Sequence, residues 1–185
     1  MKRTTLVVLA IFAVLLVLLI IMDTNDIALL AQTPSPTAQM QVLGDWSVDD
    51  IVMIEYHSIN LDGISIQKNT DNSWSFPAST NLVDQGKIQE LLSTLQSMVV
   101  LTDLDPSPEL KSIGLTTPQY VVVLTNTSKE KKEIWVGNIT PTGSGYYVTL
   151  NNGTPIVISK YAIDSILELL TPSNLILQTV TPEGS

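Results

Sequence analysis

"LKSIGLTTPQYVVVLTN", Leu110 to Asn126, sets a glycine, a proline and a run of β-branched residues close together. Just upstream, Ser107 and Pro108 suit the cap and first position of a short helix through Ile113. Gly114 suits the left-handed residue that closes such a helix, leaving Leu115 free to tuck inward. Pro118 cannot continue a helix, and it biases Thr117 toward extended backbone. "QYVVVLTN" is thereby released as a strand, with Val121, Val123 and Thr125 on one side. The stretch reads as a one-turn helix serving as a corner between a long helix and a sheet.

The long helix lies before it. In "DQGKIQELLSTLQSM", Asp84 can cap the first turn, and Ile88, Leu91, Leu92, Leu95 and Met98 form one stripe. Lys87, Gln89, Glu90, Ser93 and Gln96 occupy the opposite side, so one face is buried, with a sheet as the obvious partner. Further upstream, "DIVMIEYHSI" (Asp50 to Ile59) alternates, with Val52, Ile54 and Tyr56 facing a core. "NLDG" turns into "ISIQKN", with Ile64 and Ile66 inward, and "TDNS" turns into the short strand "WSF". Downstream, "TSKEKK" is a hairpin loop; "EIWVG", "GYYVTLNN" and "PIVIS" are strands. A last helix, Lys160 to Leu170, has Ser159 as cap and Ile163, Ile166, Leu167 and Leu170 buried. The halves share an order of short strands followed by one amphipathic helix. That order suits either a distant duplication or two common α+β units side by side.

The start of the chain has another character. "TTLVVLAIFAVLLVLLIIM", Thr4 to Met22, carries no charge, glycine or proline, and as a helix would rise roughly 28 Å, close to a bilayer's hydrocarbon thickness. Lys2 and Arg3 precede it while Asp23 and Asp26 follow, which puts the N-terminus inside and the rest outside. A cleaved signal peptide is the competing reading. Against it, the apolar run exceeds the roughly 7–15 residues of a signal, and "LLAQ", ending the nearest candidate site at Ala31, has leucine where a small residue is wanted. The expected organisation is residues 1–3 cytoplasmic, 4–22 a transmembrane anchor, 23–44 a linker rich in Pro, Thr, Ser and Gln, 45–172 an exported α+β domain, and 173–185 a tail with one short apolar contact at Leu175 to Leu177.

All eighteen acidic residues lie beyond the apolar run, against seven lysines and no arginine, a net charge of −11. Such a balance argues against nucleic acid and against docking on anionic headgroups. With no cysteine in the chain, stability rests on a packed core.

Candidate chemistry is sparse. His57 is the one histidine and sits on the polar-leaning face of its strand, the place of a surface or boundary residue. Nucleophilic catalysis needs a base beside the nucleophile, and neither a G-x-S-x-G elbow nor an H-E-x-x-H helix is present. "GSGYY" lacks the lysine and the helix of a phosphate loop. "DLDPSPE", Asp103 to Glu109, holds three acids, yet Pro108 stands where a calcium loop needs glycine. Asp49 and Asp50 read as strand-edge charge. Asn126, Asn138 and Asn152 each open an N-x-S/T sequon, although the same residues are ordinary turn formers. Trp74 and Trp135 read as core, and Trp46 either packs the domain's edge or lies near headgroups. No catalytic, cofactor-binding or metal-binding residue is expected.

"IGLTTP" (Ile113 to Pro118), "IWVGN" (Ile134 to Asn138), "GSGYYV" (Gly143 to Val148) and "PIVIS" together resemble a bacterial and archaeal domain of unknown function, family 4340. "DGISIQKNTDNSWSF" is similar to that family's strand, turn and tryptophan, and "VDQGKIQELLSTL" to its helix; the resemblance covers about Trp46 to Leu170, with Ile113 in place of an expected tyrosine. It implies one N-terminal anchor, an exported domain and an association with ABC-type export systems and gliding-motility-like auxiliary proteins. It brings no catalytic residues. The expected function is a non-catalytic, membrane-anchored accessory or scaffolding protein at the outer face of the cytoplasmic membrane. Its partners would be the bilayer, through the N-terminal helix, and other membrane proteins such as a transporter permease or auxiliary subunit, held by the acidic surface and exposed strand edges. The alternative is a binding module for a small molecule, peptide or cell-wall component, with a cleft between the halves lined by Tyr146 or Tyr147.

An uncleaved anchor predicts that protein extracted from native membranes keeps Lys2 and Arg3 in its intact mass. A mature chain beginning near Gln32 would identify a signal peptide instead.

Overall fold

The computed structural model describes residues 40–59, 61–77, 79–104 and 107–177. The expected anchor, Thr4–Met22, lies outside them. Among the described residues no helix is long and apolar enough to cross a membrane.

Alternation builds one antiparallel sheet. Its strands are β1 (Ile51–Ser58), β2 (Leu61–Lys68), β3 (Trp74–Ser75), β4 (Val100–Asp103), β5 (Tyr120–Asn126), β6 (Lys131–Ile139), β7 (Gly145–Leu150) and β8 (Ile156–Ser159). They lie in the order β3-β2-β1-β5-β6-β7-β8-β4. In the central pairs, Ile54 sits opposite Ile66 and Leu124, and Tyr56 opposite Val122, which in turn faces Ile134. The same face continues through Val136 and Val148 to Ile156, and through Tyr146 to Ile158. All of these side chains are buried.

Two helices cover that face: α1 (Gln85–Ser97), burying Ile88, Leu91 and Leu95, and α2 (Lys160–Leu169), burying Ile163, Ile166 and Leu169. Asp84 caps α1 as expected, accepting from the N–H groups of Gly86 and Lys87. Ser159 stands at the cap position of α2 but its hydroxyl makes no capping bond. A short third helix, α3 (Pro172–Leu175), buries Leu175.

The halves are not separate units side by side. β1 pairs with β5 at the centre of the sheet, and the chain leaves edge strand β3, passes through α1 and delivers β4 to the far edge, beyond β8. β4 is absent from the sequence-based reading for a physical reason. Only Val100 of its four residues is buried, so it carries no alternation.

The folded part also starts earlier than Asp45. Gln41 bridges Val99, the Val42 N–H donates to the Met98 carbonyl, and Val42 and Leu43 are buried in the core. At the other end, Val83 bridges Ile176 and the Leu177 N–H donates to the Leu82 carbonyl, so the expected tail contributes a strand-like contact.

The corner at Gly114 closes as hydrogen-bonded turns rather than a regular helix. Leu115 N–H reaches back to the Leu110 carbonyl at 2.8 Å, and Gly114 N–H to the Lys111 carbonyl at 3.3 Å. These two bonds are those of a Schellman closure, and Gly114 supplies its left-handed residue with φ +75°. Ile113 and Leu115 are buried, but on the sheet's second face, against Gly137, whose missing side chain leaves room for the Ile113 carbonyl and the Leu115 side chain. A side chain at 114 would meet both a strained backbone and the Asn138 carboxamide. Gly114→Ala should therefore lower unfolding free energy by at least about 1 kcal/mol. An unchanged urea midpoint would show that the corner does not depend on this residue.

Candidate functional site

The residues with chemical potential fall apart rather than together. His57 is exposed on the second face of β1, above Gly63. Asp103 ends β4 and Glu109 lies exposed in the corner segment; among the described residues no group of three His, Cys, Asp or Glu could hold a metal ion. Asp49 and Asp50 sit in a 3-10 turn, Val48–Asp50, before β1. The sequons separate by burial. Asn138 and Asn152 are exposed, whereas Asn126 is buried and its carboxamide exchanges hydrogen bonds of 2.8 and 2.9 Å with the Glu130 side chain and N–H. Tyr146 and Tyr147 are successive residues of β7 and point to opposite faces, so no cleft is lined by both.

Three polar groups are committed to holding the fold. Tyr146 is buried beneath α2, and its hydroxyl donates to Asp164 Oδ1 at 2.9 Å; Lys160, one turn earlier, pairs with the other carboxylate oxygen. Burial and this carboxylate push the Tyr146 phenol up to about 12. At the edge, the Gln85 side chain imitates a neighbouring strand: Oε1 accepts the Trp74 N–H at 2.8 Å, and Nε2 donates to the Trp74 carbonyl at 2.9 Å and to that of Val83 at 3.0 Å. The third group, the Lys132 ammonium, donates to the Leu43 carbonyl, lies 3.5 Å from that of Val42 and stands 4.9 Å from the Trp46 ring centroid. Burial lowers its pKa. Trp46 thus packs the domain's edge, in a cation–π contact.

Both sheet edges are blunted only in part. β3 has two residues and Gln85 covers Trp74, while at the β4 edge Met40 to Val42 pair with Met98 to Val100. β2 pairs with β3 only at Gln67 and Lys68, so residues 61–66 have no partner strand on that side.

The second face is different. Its rows run His57–Val121–Trp135–Thr149, Glu55–Val123–Glu133 and Met53–Thr125–Lys131. The corner segment shields Gly137 but leaves this central part without a covering helix. Trp135 is half-buried here rather than in the main core, and its indole N–H donates to Glu133 Oε2 at 2.9 Å. Glu55 pairs with Lys131 at 3.6 Å. The sign was in the sequence: Trp135 shares its strand parity with Glu133, opposite to Ile134 and Val136. Chemically, the face offers a tryptophan with its polar tip satisfied, flanked by aliphatic groups and rimmed by opposite charges, which is the composition of a protein contact.

The clefts are open and shallow in chemistry. One of about 620 Å³ lies beside Lys68, Trp74 and Gln85, but Lys68 donates to the Asp49 carbonyl at 3.0 Å and Gln85 is bound to Trp74. Two others flank the α1–α2 contact.

The sequence profile of one family, a domain of unknown function (DUF4340), matches residues 74–179. That is more than half of the chain, which belongs to this family. The match begins at β3, so β1 and β2 lie outside it although β1 is an interior strand, paired on both sides. No curated protein and no solved structure matches the chain.

The Tyr146 phenol ionises less readily folded than unfolded, so its contribution to stability is complete below pH 10, its ordinary pKa, and drains away as pH rises through about 12. Tyr56, raised chiefly by burial, acts in the same direction. Tyr146→Phe should cost on the order of 1 kcal/mol at pH 7. It should also flatten, without abolishing, the loss of stability in denaturant titrations from pH 9 to 12; an unaltered slope would show that the Tyr146–Asp164 bond carries none of it.

Proposed function

We propose that this chain is a non-catalytic, membrane-anchored accessory protein whose domain holds a partner protein at the outer face of the cytoplasmic membrane. The observation that carries the reading is the uncovered second face of the sheet around Trp135. An eight-stranded sheet covered by helices on one side leaves part of the other to water or to a partner: Ile113, Leu115, Val123 and Thr149 are buried on it, but the part around Trp135 has an aromatic centre and a charged rim. Interface energy concentrates in such desolvated aromatic centres. The anchor supplies location and the domain supplies grip. Another membrane protein, such as a transporter subunit, is the partner class that suits the family's implied setting.

The alternative, a binding module for a small molecule, peptide or cell-wall component, would use the cleft beside Lys68 and Trp74. It is weaker because the polar groups there already serve internal hydrogen bonds.

A photo-cross-linking residue in place of His57 or Val121 should capture another membrane protein in native membranes, whereas one in place of Gln96, exposed on α1, should not. Trp135→Ala should reduce the yield several-fold with the circular dichroism spectrum intact. Equal capture from both sides, or none from the second face, would overturn the proposal.

A further inference from the structure

Beside Trp135, the open part of the second face holds a carboxylate that the fold leaves without a countercharge. Lys131, Glu133 and Trp135 alternate along β6 on that face. Lys131 is paired with Glu55 at 3.6 Å, and among the described residues no lysine pairs with Glu133. Glu133 is nevertheless half-buried and held in place. Its N–H donates to Asn151 Oδ1 at 2.8 Å, its carbonyl accepts the Asn151 N–H at 2.9 Å, and its Oε2 accepts the Trp135 indole N–H at 2.9 Å. Among the described residues nothing donates to Oε1. The neighbouring strand supplies an apolar floor: Val123 lies directly across from Glu133, and Val121 directly across from Trp135.

We infer that the partner segment seated on this face presents an arginine, its guanidinium against the Trp135 ring and paired with Glu133. The inference rests on the contact proposed above and names the chemistry that the contact selects. A partner closing over Glu133 strips water from its carboxylate, and a desolvated charge is tolerated only when it is paired. The fold supplies no cation for it, so the partner must. A planar cation suits the place better than a compact one. A guanidinium can lie along an indole ring while donating in its own plane to a carboxylate, and it is less strongly hydrated than an ammonium. The aliphatic stem of the same side chain matches the floor of Val121 and Val123. The wider field acts in the same direction. The part of the chain beyond Met22 has a net charge of −11, which draws a basic segment toward the domain and disfavours an acidic one.

The test uses the full chain in native membranes, with a benzophenone photo-cross-linker in place of His57, which shares a row with Val121 and Trp135. Glu133→Gln keeps an acceptor for the Trp135 indole and removes the charge. It should lower capture several-fold and remove most of the sensitivity of capture to added salt. Glu133→Lys should abolish capture, whereas Glu90→Gln, at an exposed acid on α1, should leave it unchanged. Mass spectrometry of the adduct formed by the chain with Glu133 intact should place an arginine within a few residues of the attachment point. Replacing that arginine by glutamine should lower capture as Glu133→Gln does, and the two changes together should lower it no further. Capture undiminished by Glu133→Gln and Glu133→Lys, or an attachment segment without arginine, would overturn the inference and leave the contact face standing. No capture from position 57 would overturn the contact face and this inference with it.

Discussion

One apolar sheet face that must be kept from water is the constraint on which the structure depends. Ile54, Leu124, Ile134, Val148 and Ile158 are essentially inaccessible, and they come from strands of both halves of the chain. Neither α1 nor α2 could cover that face alone, so the two are placed together on it and contact each other through α3 as well. Burial of this extent supplies the dominant favourable term in folding, at about 25 cal/mol per Å² of apolar surface. The connection through α1 takes the chain from the β3 edge to the far edge, where β4 pairs with β8.

What remains after burial is the backbone and the few polar side chains that the packing encloses; the hydroxyls of Thr125 and Thr149 are left without a hydrogen-bond partner, whereas three other side chains each have a specific answer. Gln85 supplies the edge of β3 with the donor and acceptor that another strand would have offered. Lys132 takes up carbonyls of the entering chain, which wraps around it with Gly44 in the left-handed region at φ +57°. Tyr146 carries the hydroxyl that its burial would strand to Asp164. A buried donor or acceptor without a partner costs about 1–3 kcal/mol, enough to make such arrangements structural rather than incidental. The proposed contact falls on a surface, the open part of the second face around Trp135.

Membership of the family fits this division. Two stretches inside the matched region, "IGLTTP" and "IWVGN", are a turn closure and a strand that meet in the fold: the Asn138 N–H donates to the Ile113 carbonyl at 2.8 Å, and Gly137 makes room for that carbonyl. They describe how the corner seats on the second face of the sheet.

Local order was legible in the sequence wherever the cause was local. The Asp84 cap, the stripe of Ile88, Leu91 and Leu95, the left-handed Gly114 and the release of β5 after Pro118 depend on neighbours a few residues apart, and periodicity or backbone sterics display them. The acidic balance and the apolar run from Thr4 to Met22 are likewise properties of composition and need no fold. The tertiary structure alone decided what depends on residues distant in sequence. It placed β4 beyond β8, although only Val100 bears a buried side chain. It drew Val42 and Leu43 into the core, and it put Trp135 on the open face and Tyr146 under α2. A strand's alternation says that two faces exist, but which one is buried, and by what, is settled only when the helices pack.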